Sequence, residues 1–203
     1  MEPMSSPSLC AAFESLHAQR GDFFPMIEGM GMETLSHRPS NAAWAVGDTI
    51  LHLCKTMRIY RQLTRLSLPG LFPVAWLLLN RPFDRNAVDV FAEYQAAGKR
   101  MKASLLLVPH RPSRLASRHE LQDQLEPETC RMKNMLARLT EGVAGHFRIF
   151  DPGVGSPKLI QRVQLLALHE RHHFKAMGHL IADQGLGFQK KVVRRNGPQA
   201  SLD

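Results

Sequence analysis

Aromatic residues make up only 7% of the 203-residue chain, and cysteine occurs three times. So few aromatics argue against an aromatic-rich β-sandwich and against RNA binding by base stacking. Cys10, Cys54 and Cys130 are odd in number and far apart. They supply neither a disulfide framework nor a Cys-x-x-Cys zinc or redox pair, which suits a reducing compartment. Long hydrophobic runs are also missing: the longest nearly uncharged stretch, Leu66 to Asn80, is interrupted by Pro69, Gly70 and Pro73 and is too short to span a bilayer. Met1-Glu2-Pro3-Met4-Ser5 lacks the basic start and apolar stretch of a secretion signal, so we expect a cytoplasmic protein with no membrane span. Strand signals are nearly absent, with no sustained period-two alternation and no β-branched cluster beyond Val192-Val193. Neither a phosphate-binding Gly-Lys-Ser/Thr loop nor a Gly-x-Ser-x-Gly elbow occurs, which disfavours nucleotide and serine hydrolysis.

What is present is an ordinary globular composition, 44% apolar and 22% charged, in a chain long enough to bury one core. We expect a single helical domain over residues 1–187 and a flexible basic tail over 188–203, where Lys190, Lys191, Arg194 and Arg195 precede a Gly, Pro and Ser terminus. The net charge of +8 owes part of its size to that tail. Nucleic acid is therefore not an expected partner, since binding would need a continuous basic face on folded helices.

The apolar residues recur with helical period. Val46, Ile50, Leu53, Met57 and Tyr60 form one stripe, and Leu159, Val163, Leu166, Met177 and Leu180 form another. Ser156-Pro157 reads as the N-cap and first position of this last helix, which should end near Gln184-Gly185. Leu9, Ala12, Phe13 and Leu16 mark a helix from about Ser8 to Arg20, and Val90, Tyr94, Met101 and Leu105 mark one within Asn86 to Leu107. Met132, Met135, Leu136 and Leu139 mark another, stopped by Thr140-Glu141-Gly142; Pro127 either starts it or kinks a longer helix that begins at Ser117-Arg118-His119-Glu120. The fold class is all-α, most simply a bundle whose stripes share a core. Leu66 to Pro82 does not fit a bundle helix and is expected to be a connecting excursion, packed over the bundle or touching a partner.

Of ten histidines, those in His169-Glu170-Arg171-His172-His173 carry the chemistry. His169 and His173 are one helical turn apart, so their rings can converge on one ion, whereas His172 projects toward solvent. Imidazole suits zinc, nickel and similar divalent ions, although a buried pair can equally make hydrogen bonds within a core. The run also spells His-Glu-x-x-His, the zinc-protease helix, with His179 at the spacing of the longer metzincin pattern. That pattern needs Gly where this chain has Ala176, and such proteases hold their peptides on a sheet edge that is not foreseen here. His52 is the candidate third ligand, although it projects about 120° from the centre of its own helix's apolar stripe. Glu170 projects near the centre of its stripe. It either orients a ligand or moves a proton, or it pairs with a basic residue at the pocket edge.

Trp44-x-Val46-x-Asp48-x-Ile50-x-His52-Leu53, joined to His169-x-x-x-His173 on the last long helix, resembles the DinB/YfiT-like metalloenzymes. The likeness covers about Ala11 to Gly185. It implies a bacterial DinB-like four-helix bundle, forming a homodimer, in which His52, His169 and His173 bind a divalent metal. The chain departs from the family pattern at Ala45 and at Phe174-Lys175-Ala176, where a small polar residue and an Arg-Gly-Gln-like sequence are usual. Characterised relatives include transferases and isomerases that use low-molecular-weight thiols such as bacillithiol or mycothiol.

Three neutral imidazoles leave a coordination position open, the arrangement of a catalytic metal. The expected function is therefore a zinc- or nickel-dependent S-transferase that acts on a small-molecule substrate with a low-molecular-weight thiol as cosubstrate. A metal-dependent hydrolase and a non-catalytic metal- or ligand-binding stress-response protein are the alternatives. Cys54 is expected to be a core or subsite residue, and no cysteine has a spacing that marks it as a nucleophile.

Overall fold

The computed structural model describes residues 4–38, 44–98, 118–151 and 154–183. In chain order these form α1 (Pro7–Phe23), a 3-10 turn (Phe24–Ile27), α2 (Met32–Ser36), α3 (Val46–Leu77), α4 (Val90–Ala96), α5 (Arg118–Leu136), α6 (Glu141–His146) and α7 (Leu159–Asp183). The four long helices α1, α3, α5 and α7 make the expected all-α bundle. No strand occurs among the described residues; the connection into α7 carries two isolated bridges, Arg148 to Lys158 and Asp151 to Gly155.

Each long helix buries most of the stripe that its sequence announces. Leu9, Ala12, Phe13 and Leu16 of α1 are buried, as are Val46, Ile50, Leu53 and Met57 of α3 and Leu159, Val163, Leu166 and Met177 of α7. Ser6 caps α1 by accepting from the Leu9 N–H, with Pro7 at the first helical position where its missing N–H is harmless. The Glu141 carboxylate reaches the same end, accepting from the hydroxyls of Ser6 and Ser8 and from the Ser8 N–H. It thereby ties α6 to a positive helix terminus. Glu128 of α5 is buried and accepts from Arg58 and Arg61 of α3 and from Arg131, which joins these two neighbours.

Three boundaries differ from expectation. Leu66 to Leu77 is the continuation of α3, with Pro69 and Pro73 inside the helix. Each proline removes one backbone donor and crowds a carbonyl, but both lie on the exposed side, while Leu68, Leu71 and Ala75 pack against the core. That packing outweighs poor helix propensity. The helix foreseen within Asn86 to Leu107 is confined, among the described residues, to Val90–Ala96, where Asp89 caps the Ala92 N–H and Gly98 takes a left-handed φ of 64°. Met101 and Leu105 lie outside the described residues. Pro157 sits two residues ahead of α7. The N-cap is Lys158, whose carbonyl accepts from the Arg162 N–H and whose N–H donates to the Gln161 side chain, half of a capping box.

Pro127 lies within α5, so the longer of the two readings for that segment holds; Ser117 lies outside the described residues, as do Gln184-Gly185 and the basic tail.

Two apolar clusters fill the bundle. One gathers Leu9, Phe13, Leu16, Leu136, Phe147 and Val163; the other gathers Phe23, Phe24, Ile50, Leu53, Leu121 and Phe174. Arg20 lies on α1 between Leu16 and Phe23, and Glu170 lies on α7 between Ala167 and Phe174. Both charged residues are only 2% exposed. They meet as a fork, Arg20 Nε donating to Oε1 at 2.6 Å and Nη2 to Oε2 at 2.8 Å. The most heavily desolvated ion pair of α1 and α7 thus falls between the two apolar clusters, one residue from His169.

Candidate metal centre

His52 enters from α3, and His169 and His173 enter from successive turns of α7. The His52 Nε2 lies 3.2 Å from the His169 Nε2, and the His173 Nε2 lies 3.0 Å from the same atom. All three donor atoms fall within 4.8 Å of one another. His52 is buried and the other two are partly buried. The projection of His52 away from its own stripe, a weakness when α3 is considered alone, is what turns it toward α7.

Donor chemistry favours a cation. Burial, reinforced by the neighbouring imidazoles, holds His169 well below the ordinary histidine range. Burial likewise pushes His173 down to about 3. Both rings are therefore neutral at neutral pH, with one lone pair each. A single proton on His169 Nε2 cannot make two good hydrogen bonds to two other ring nitrogens, whereas one divalent ion meets all three lone pairs. Tetrahedral zinc with Zn–N of about 2.0–2.1 Å sets its donors about 3.3–3.4 Å apart, close to the spacing found.

Aromatic rings flank the cluster. Trp44 lies nearly parallel to His173, with 6.4 Å between centroids, and 4.9 Å from His52. Phe91 of α4 stacks on His169 at 5.2 Å and on His172 at 5.6 Å. His172 and His179 are exposed, as their projections required, and α7 continues past Ala176 without the turn that a third protease ligand needs. Glu170 is committed to Arg20 through both oxygens, which selects pairing from the roles considered for it. Burial raises the Glu170 carboxyl against the pull of that guanidinium.

A model of the DinB superfamily matches residues 15–177. The chain belongs to the DinB superfamily. No curated protein and no solved structure matches it. Within this DinB chain the Trp44 to His52 stretch has a visible structural logic. Asp48 is buried in the first turn of α3 and accepts from Arg38 Nε at 2.8 Å and Nη2 at 2.7 Å, which anchors the approach to the helix. Cys54, two residues past His52, is buried, and burial pushes its thiol up to about 12, so it stays protonated.

Sequence reasoning missed Arg20 and Phe91. Arg20 left a trace, because it continues the apolar stripe of α1 four residues after Leu16 and three before Phe23, a place for a charge only if a partner waits. Phe91 sits in a seven-residue helix with no buried residue, and its approach to His169 has no sequence signature.

Proposed function

We propose that this DinB protein is a divalent-metal-dependent enzyme that transfers a low-molecular-weight thiol to an electrophilic small molecule, with His52, His169 and His173 as the ligands of zinc or nickel. The observation that carries the reading is the convergence of three imidazole nitrogens, two of them 3.0 and 3.2 Å from the third. An ion held by three neutral imidazoles supplies Lewis acidity at an open position and so acidifies a thiol offered to it.

The chain's own residues supply the setting. The fork between Arg20 and Glu170 holds the rotation of α7, and with it the aim of His169 and His173, as hydrogen-bonded partners do for metal-ligating side chains. Trp44 and Phe91 give the site apolar walls, which suit the carbon body of an electrophile. Hydrolysis is the weaker enzymatic reading: Glu170, the acid beside His169, already has both oxygens on Arg20 and is poorly placed to take a proton from water. Cytoplasmic location and a small-molecule substrate fit this reading, and among the described residues no helix is long and apolar enough to cross a membrane.

The test is metal analysis of the purified protein, followed by thiol-dependent consumption of an electrophile. Stoichiometric metal in the wild type, lost in His52→Ala, with conjugation that requires both metal and thiol, supports the proposal. Full metal occupancy in His52→Ala removes the third ligand. Bound metal without conjugation across a panel of biological thiols and electrophiles favours the non-catalytic binder.

A further inference from the structure

A cavity of about 260 Å³ opens where the C-terminal half of α3 crosses the connection from α6 to α7. Its walls come from the proline-containing segment that sequence alone left without a role: Leu71, Val74 and Leu78, joined by Pro82 and Phe83. On the other side stand His146, Arg148 and Lys158. Lys158 is the N-cap of α7 and His169 is eleven residues further along, so the cavity and the histidine cluster are about 16 Å apart along that helix.

The walls are built for close fit. A methyl group on Gly145 would fall within 2.5 Å of the Phe83 ring, so glycine lets Phe83 lie directly on α6. The Lys158 side chain is 8% exposed. Its Nζ donates only at long range, 3.3 Å to the Asp84 carbonyl and 3.4 Å to the Asp84 carboxylate, which is itself 93% exposed. The ammonium also lies over the Phe83 ring, 5.9 Å from its centroid, and Asp84 is a solvated partner that a better-placed carboxylate can displace. Arg148 adds a second cation to the wall, and Arg85 lies over the Phe83 ring at 5.6 Å. His146 Nδ1 is 2.9 Å from the Gly142 carbonyl, which only accepts, so Nδ1 carries the proton and Nε2 is an acceptor. That Nε2 is buried and meets no donor in the protein.

We propose that this cavity is a second ligand site, which takes a small flat apolar molecule with a carboxylate head. Apolar walls receive the ring, and Lys158 and Arg148 receive the carboxylate. The volume admits one or two rings and lies just under the usual range of ligand pockets.

The probe is 6-hydroxy-2-naphthoate, titrated into the full-length protein by fluorescence or NMR beside its neutral carboxamide. The acid should bind the wild type about tenfold more tightly than the amide, and Lys158→Gln should erase that preference. Stripping the metal with EDTA, or His52→Ala, should leave binding unchanged, which separates this site from the histidine cluster. Equal affinity for acid and amide in the wild type overturns the proposal whether or not the Lys158 variant folds. So does absence of saturable binding, or binding that disappears with the metal.

Discussion

Replacing Arg20 by Met tests the ion pair at the centre of the bundle. The guanidinium and carboxylate are each 2% exposed and joined by two short bonds, so the Met variant strands Glu170 in apolar surroundings. Breaking such a pair from one side typically costs about 3–5 kcal/mol, a large fraction of a domain's total stability. Removing both charges is different, because a well-packed apolar pair of similar volume is often neutral or stabilising. Arg20→Met and Glu170→Leu should therefore each destabilise by about 3 kcal/mol or more, while the double variant recovers most of the loss. Urea unfolding in EDTA isolates this effect from metal binding. Single variants that lose less than about 1 kcal/mol, or a double variant whose losses simply add, would refute the placement of the pair in a desolvated layer.

Four further outcomes are expected. Adding the bound metal at about 1,000 times its dissociation constant should stabilise the apo-protein by about 4 kcal/mol, seen as a rise in Tm that His52→Ala abolishes and His179→Ala does not. Glu128 feels burial that raises its carboxyl, but hydrogen bonds from Arg58 and Arg61 prevail and hold it below the ordinary range. Its contribution is thus present above the unfolded-state value of about 4.3 and lost as pH falls through the lower folded value; Glu128→Gln should flatten that acid limb in pH-dependent unfolding. Gly145→Ala should destabilise by about 1–3 kcal/mol through collision with Phe83, and by much less when introduced into Phe83→Ala, as thermal unfolding of the four proteins would show. Pro73→Ala should stabilise, by up to about 3 kcal/mol in urea unfolding, by restoring a backbone donor on the exposed side of α3.

The bundle was legible because its long helices carry stripes of Leu, Ile, Val and Met at unmistakable spacing. His169 and His173 were legible for the same reason, since local winding alone places them together. His52 was not derivable from periodicity, because which side of α3 meets α7 is decided by tertiary packing. Pro69 and Pro73 misled for a related reason: propensity reports the isolated segment, whereas Leu71 and Ala75 report what it rests on. Thr140-Glu141-Gly142 does follow the end of α5, yet it also opens α6, a six-residue helix too short to show a period. Phe91 reaches His169 from a helix whose foreseen stripe, Val90 and Tyr94, leaves it out.

Cys54 has a practical consequence. Its sulfur is sealed within the bundle and keeps its proton to about pH 12, so it is a poor target for alkylation. A preparation treated with iodoacetamide and then desalted would retain this thiol while its more accessible sulfurs are capped. Conjugation that persists in such a preparation draws its sulfur from an added small thiol, because the protein thiol that remains is sealed and protonated.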